Sequence, residues 1–98
     1  MRRRAFESFL VEGDQTRVPA SPTPDPAVRH FVSVAARAET ILNLDLDRMA
    51  PTEAGADGVL DRLKALTALH GFTIRQISDF GAALRAYGRF LAASRAEP

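Results

Sequence analysis

A helical apolar pattern covers Leu60 onward, breaks at His70-Gly71, restarts at Thr73 and runs on through Ser94. So short a break leaves two helices side by side as one rigid unit. In the second segment, TIRQISDFGAALRAYGRFLAAS, the residues Ile74, Ile77, Phe80, Leu84, Tyr87 and Leu91 cover one arc of a helical wheel. Gly81 and Gly88 lie inside that arc. Glycine costs about 1 kcal/mol against alanine in a helix interior, so their presence predicts close backbone approach to another helix. Arg75, Arg85 and Arg89 occupy a neighbouring arc with Ala82 among them, a basic ridge beside the packed side. Thr73 and Gln76 fit a capping box at the start of this helix.

The upstream segments read as helices too. Phe6, Phe9 and Leu10 form the stripe of a first helix over Arg2 to Glu12, with Gly13 as its stop. Residues 13–25 form a Pro-rich linker; its prolines at 19, 22 and 24, with Pro26 directly after it, favour extended, polyproline-like chain. A spacer is the expected role, and nothing specific supports an SH3-type ligand. Asp25-Pro26 starts a second helix as N-cap and first helical residue. Its apolar residues Val28, Phe31, Val32, Ala35, Ala38 and Leu42 define one face, and it should end near Asn43 to Asp45. Asp45-Leu46-Asp47 reads as a connector anchored by Leu46, and Pro51 with Gly55-Ala-Asp-Gly58 as a loop. A third helix, Asp57 to Leu69, should bury Leu60, Leu63 and either Leu66 or Leu69 before stopping at Gly71. No period-two pattern occurs, so the expected fold is all-α: a single compact domain of four to five helices.

At 98 residues the chain can build a modest core, but not a core plus a deep catalytic cleft. It has no cysteine, which removes disulfides, thiolate metal sites and thiol nucleophiles. No apolar run spans a bilayer, and the basic start Met1-Arg2-Arg3-Arg4 is followed by Glu7 and Glu12, a poor secretion signal. No membrane partner and a cytoplasmic location are expected. The histidines His30 and His70 lack a second metal ligand at helical spacing, and the two carboxylates of Asp45-Leu46-Asp47 are too few for a calcium loop. His70, just before a helix-stopping glycine, suits the C-terminal carbonyls. Tyr87 lies on the core arc, where a packed ring is expected rather than a nucleophile. No phosphate loop, nucleophile elbow or acid–base pair is present. The expectation is a non-enzyme with no cofactor and no metal.

Charge is distributed unevenly although the net is only +1. Between Ala38 and Asp61 the acids Glu39, Asp45, Asp47, Glu53, Asp57 and Asp61 face a single base, Arg48. From Leu63 onward Lys64, Arg75, Arg85, Arg89 and Arg95 outnumber Asp79 and Glu97, and Arg2, Arg3 and Arg4 add to the basic side. Such asymmetry gives the molecule a preferred face for association. Twelve of the 13 bases are arginine, which grips phosphate bidentately; a GC-rich genome produces the same bias and takes the larger share of the explanation. Arg75, Arg85 and Arg89 can reach successive phosphates or guanine edges, and the helix start at Thr73 offers amides and a hydroxyl to a phosphate. An ordinary solvated face explains the same spacing, and Asp79 nearby counts against DNA.

Leu60-x-x-Leu63 followed by HGFTIRQISDFGAALRAYGRFLAAS resembles the end of the N-terminal core-binding, SAM-like helical domain of phage-type tyrosine recombinases. The residues that carry the resemblance are Gly71, Phe72, Thr73, Ile74, Ala83, Leu84, Arg85, Tyr87, Arg89, Phe90 and Leu91, and FESFLVEG echoes that family's first helix. About a third of the chain is covered, mostly by helix-packing pattern. The resemblance implies a helical domain clamping one face of duplex DNA, with Thr73, Arg75, Arg85 and Arg89 at the contact. Nothing in the sequence corresponds to the family's catalytic half, Tyr87 matches a packing aromatic, and the Pro-rich and acidic segments are untypical. The leading expectation is therefore a non-catalytic binder of double-stranded DNA, of regulatory or recombination-accessory type. The alternative is a protein-interaction or self-association module without DNA binding, using its helical and acidic surfaces, with Phe90, off the main apolar arc, at its interface and the acidic stretch docking on a basic partner.

Overall fold

The computed structural model describes residues 1–12, 25–66 and 71–96. Among them are four α-helices and no strand: α1 (Arg3–Glu12), α2 (Asp25–Leu42), α3 (Glu53–Ala65) and α4 (Ile74–Ala96), with a 3-10 turn over Leu46–Arg48. The all-α expectation holds. The Pro-rich segment, Leu69 and His70 lie outside the described residues.

Helix ends follow local chemistry. The Arg2 carbonyl accepts from the Phe6 amide at 3.0 Å, so the first turn of α1 draws on the residue before it. At the end of α2, Asn43 takes the left-handed conformation (φ 50°). The Leu44 amide then bonds to the Glu39 carbonyl at 3.2 Å and the Asn43 amide to that of Thr40 at 3.3 Å. This paired closure satisfies the last carbonyls and turns the chain out of the helix. Asp45 caps the 3-10 turn by accepting from the Asp47 amide at 2.9 Å, and Leu46 drops fully into the core as expected.

The start of α3 corrects the sequence reading. The helix begins at Glu53, four residues before Asp57, and absorbs the segment Gly55–Gly58 expected as loop. Thr52 caps it by accepting from the Gly55 amide at 3.1 Å. A Cβ on Gly55 would run into the carbonyl oxygen of Ala50, so glycine is required there for packing and not for a turn. Ala56, Val59, Leu60 and Leu63 are all buried, and their burial outweighs the poor helix propensity of the two glycines. α3 ends at Ala65, and Leu66 is only half-buried.

α4 is the spine of the molecule and packs chiefly on α3 and α2. Leu60 lies opposite Gly81 and Thr52 opposite Gly88, so α3 and α4 run antiparallel. Phe80, Leu84, Tyr87 and Leu91 are buried as the wheel predicts, while Ile77 is partly covered. Two positions depart from it. Ile74 is 91% exposed, because the space at that end is filled by Phe72, whose ring meets Phe80 edge-on at 5.3 Å. Phe90, read as off the apolar arc, is only 4% exposed, because α1 brings Phe6 and Phe9 against it, each ring 5.7 Å away. An extra helix on that side widens the buried arc beyond what α3 alone requires.

The glycine expectation divides. A Cβ on Gly81 would come within 3.3 Å of the Leu60 side chain, a tight contact with a side chain and not with another backbone. One on Gly88 would find only ordinary contacts at 3.7 Å, to Met49 and the Thr52 carbonyl.

Candidate nucleic-acid interface

The first turn of α4 is built as the capping box predicts. The Thr73 amide donates to Gln76 Oε1 at 2.8 Å, and the Gln76 amide donates to the Thr73 hydroxyl oxygen at 3.1 Å. Two of the donors that a helix start leaves open are thus satisfied internally. The Thr73 oxygen serves its own helix first.

Arg75 and Arg85 are exposed and Arg89 is half-buried, with exposed Ser78 and Ala82 between them. At 1.5 Å per residue, Arg75 and Arg89 stand roughly 20 Å apart along the helix axis. The structure therefore brings Arg75, Arg85 and Arg89 onto one side of one rigid rod. Asp79, counted against this face in the sequence, points elsewhere: its Oδ2 lies 3.5 Å from Nε2 of His30 on α2, an ion pair whenever that imidazole is protonated. With Arg37, Val34 and Gln76 these two side chains line the furrow between α2 and α4.

Arg85 does meet an acid. Its Nη2 lies 3.3 Å from Asp57 Oδ1 on α3, both side chains about half exposed at 45% and 53%. A Cβ on Gly81, one turn back, would stand 3.6 Å from Arg85 Nη1, so the guanidinium lies back along α4 over that glycine. Beside it a cleft of about 240 Å³ opens between the start of α3 and α4. Thr52, Glu53, Arg85, Gly88, Arg89 and Ala92 are among its walls.

The N-terminal arginines are not gathered with the others. Arg2 is held by structure: its Nε lies 3.4 Å from Asp47 Oδ1 and its guanidinium 4.9 Å above the Phe90 ring. Arg3 and Arg4 are exposed on α1.

No protein-family model, curated protein or solved structure matches this chain. The chain's own geometry is what bears on its function.

That geometry contains a polar network that sequence reasoning missed. The Tyr87 hydroxyl donates to Asp47 Oδ1 and accepts from the Arg2 amide at 3.0 Å. The Met1 amine lies 2.9 Å from Glu39 Oε2, 3.3 Å from Asp45 Oδ1 and 3.8 Å from Asp47 Oδ2. Glu39 also accepts from the Leu46 amide at 3.0 Å. Burial pulls the amine's pKa down, but the hydrogen bonds and charges of these carboxylates outweigh it and hold the pKa above its usual 8.0. Asp45 is held below the ordinary carboxylate value, first by the Asp47 amide that it accepts and then by the amine. Burial, and then the bond to Asp47, pushes the Tyr87 phenol well above its ordinary 10.0. The one signal in the sequence was Tyr87 itself, since a tyrosine on a core arc needs a partner for its hydroxyl. Much of the acidic middle segment is thereby spent on holding the fold. Among the described residues no group of three or more His, Cys, Asp or Glu is arranged to hold a metal ion. No helix there is long and apolar enough to cross a membrane.

Proposed function

We propose that this chain is a non-catalytic, cytoplasmic, SAM-like helical module that binds double-stranded DNA with the exposed side of α4. One observation carries the reading: Arg75, Arg85 and Arg89 share one side of a single long helix, while that helix's acid, Asp79, is turned to His30. A span of roughly 20 Å exceeds the major groove width of about 12 Å, so arginines at the two ends of the ridge reach phosphates on both of its edges. The likeness of α4 to the last core-binding helix of phage-type recombinases supports the same contact. Arg3 and Arg4, exposed on α1, add long-range attraction, and binding of this kind is mainly to the backbone.

The test is fluorescence anisotropy of a labelled duplex titrated at several salt concentrations. Three arginine–phosphate contacts predict that log affinity falls linearly with log salt with a slope of about −3. Arg75→Ala and Arg89→Ala each remove about one from that slope. Absence of binding at low salt overturns the reading. A second reading, docking to another protein or to a second copy, is favoured by the bare side chain of Ile74 beside Arg75, but no longer by Phe90, which the core absorbs. A mass that rises with concentration, and falls back in Ile74→Ser, would select it.

A further inference from the structure

We infer that Asp57 is a built-in competitor for the phosphate that Arg85 would bind, setting the affinity of the α4 surface from within the chain; this rests on the DNA-binding reading above. Arg85 is held by an acid: Asp57 Oδ1 sits 3.3 Å from its Nη2. Asp57 comes from α3 and not from the ridge itself, so the pair bridges two helices beside the cleft that Arg85 and Arg89 line. A guanidinium held this way lies over Gly81, back along the helix, and not out toward a groove. To meet DNA it must exchange a carboxylate for a phosphate.

The exchange is feasible because the pair is weak. With Arg85 45% and Asp57 53% exposed, water screens both partners. Exposed pairs of this kind hold by about 0.2–1 kcal/mol, equivalent to an affinity change of roughly 1.5- to 5-fold. Phosphate offers Arg85 a bidentate partner and releases condensed counterions, which an intramolecular carboxylate does not. The bond to Asp57 therefore lowers DNA affinity without preventing binding. Asp61 lies one turn further along α3 and is also exposed, with the same charge, which makes it a natural control.

The experiment is a double-mutant cycle read by anisotropy with the same labelled duplex. Asp57→Asn tightens binding roughly 1.5- to 5-fold beyond the effect of Asp61→Asn, which reports the general gain from losing one negative charge. In an Arg85→Ala background the excess vanishes and the two asparagine variants become equal. Circular dichroism of each variant confirms that the helices are intact. If wild type binds but Asp57→Asn and Asp61→Asn act alike in both backgrounds, the competitor inference fails and the DNA reading stands. If wild type and both asparagine variants fail to bind at low salt, the DNA reading fails and the inference with it.

Discussion

The two halves of α4 are made from similar residues and packed to different degrees. From Ala83 to Leu91 the helix is wrapped on several sides: Phe6 and Phe9 of α1 close over Phe90, and Tyr87 meets Phe6 edge-on at 4.9 Å. Its polar group is fully engaged, since Tyr87 bridges Asp47 and the Arg2 amide. From Ile74 to Ala82 the helix is held mainly by Phe72, Ile77 and Phe80 and its own capping box, while Ile74 and Arg75 stand in solvent. One helix can thus be wrapped by neighbours at one end and left bare over its first turn at the other, while its arginine side stays outward along both. What separates them is the number of neighbours, not the composition of the helix.

The comparison breaks most readily at Tyr87. Tyr87→Phe keeps the ring but leaves the part-buried Arg2 amide without its acceptor and takes one partner from Asp47, which keeps the Arg2 guanidinium, and should cost about 1–3 kcal/mol in chemical denaturation. The same site gives a pH signature. Because folding raises the phenol's pKa, its contribution to stability is complete below about pH 10 and is lost as pH rises through the folded-state value. The chain has a single tyrosine and no tryptophan, so phenolate absorbance reports this residue alone. It should appear only well above pH 10, together with unfolding; a normal titration in the folded state would show the network to be absent.

A smaller effect compares the two glycines. Gly88→Ala gains helix propensity with room for the methyl, and should stabilise by about 0.5–1 kcal/mol. Gly81→Ala gains the same propensity but presses on Leu60, so its melting temperature should lie below that of Gly88→Ala. The smallest effect belongs to Ile74. Ile74→Ser should change stability by no more than about 0.5 kcal/mol, since its side chain leaves no packed site behind. A loss of several times that size would mean that the first turn of α4 is covered in solution, and would erase the contrast between the halves.

Legibility in the sequence followed the range of the interactions. The capping box at Thr73 and Gln76 was readable because its partners are three residues apart. The stripe on α2 and the anchor at Leu46 were readable because periodicity and one apolar residue between acids are local signals. The helical start at Glu53 was not, because glycines at 55 and 58 imitate a loop until Ala50 and the buried side of α3 are in place. Nor was the exchange of Ile74 for Phe72 at the end of the core, where the Phe72 ring meets Phe80.

The sequence by itself determined that this chain is helical, where most of its turns fall, and that arginines gather on one arc of the last helix. Local hydrogen bonding and a 3.6-residue period are enough for those. Only the tertiary structure decided that α1 buries Phe90, that Asp79 faces His30, that Asp57 meets Arg85, and that the acids of the middle segment hold Tyr87 and the chain's first residues. Each of these joins residues distant in sequence. Their partners are fixed by how helices stack, which no single helix encodes.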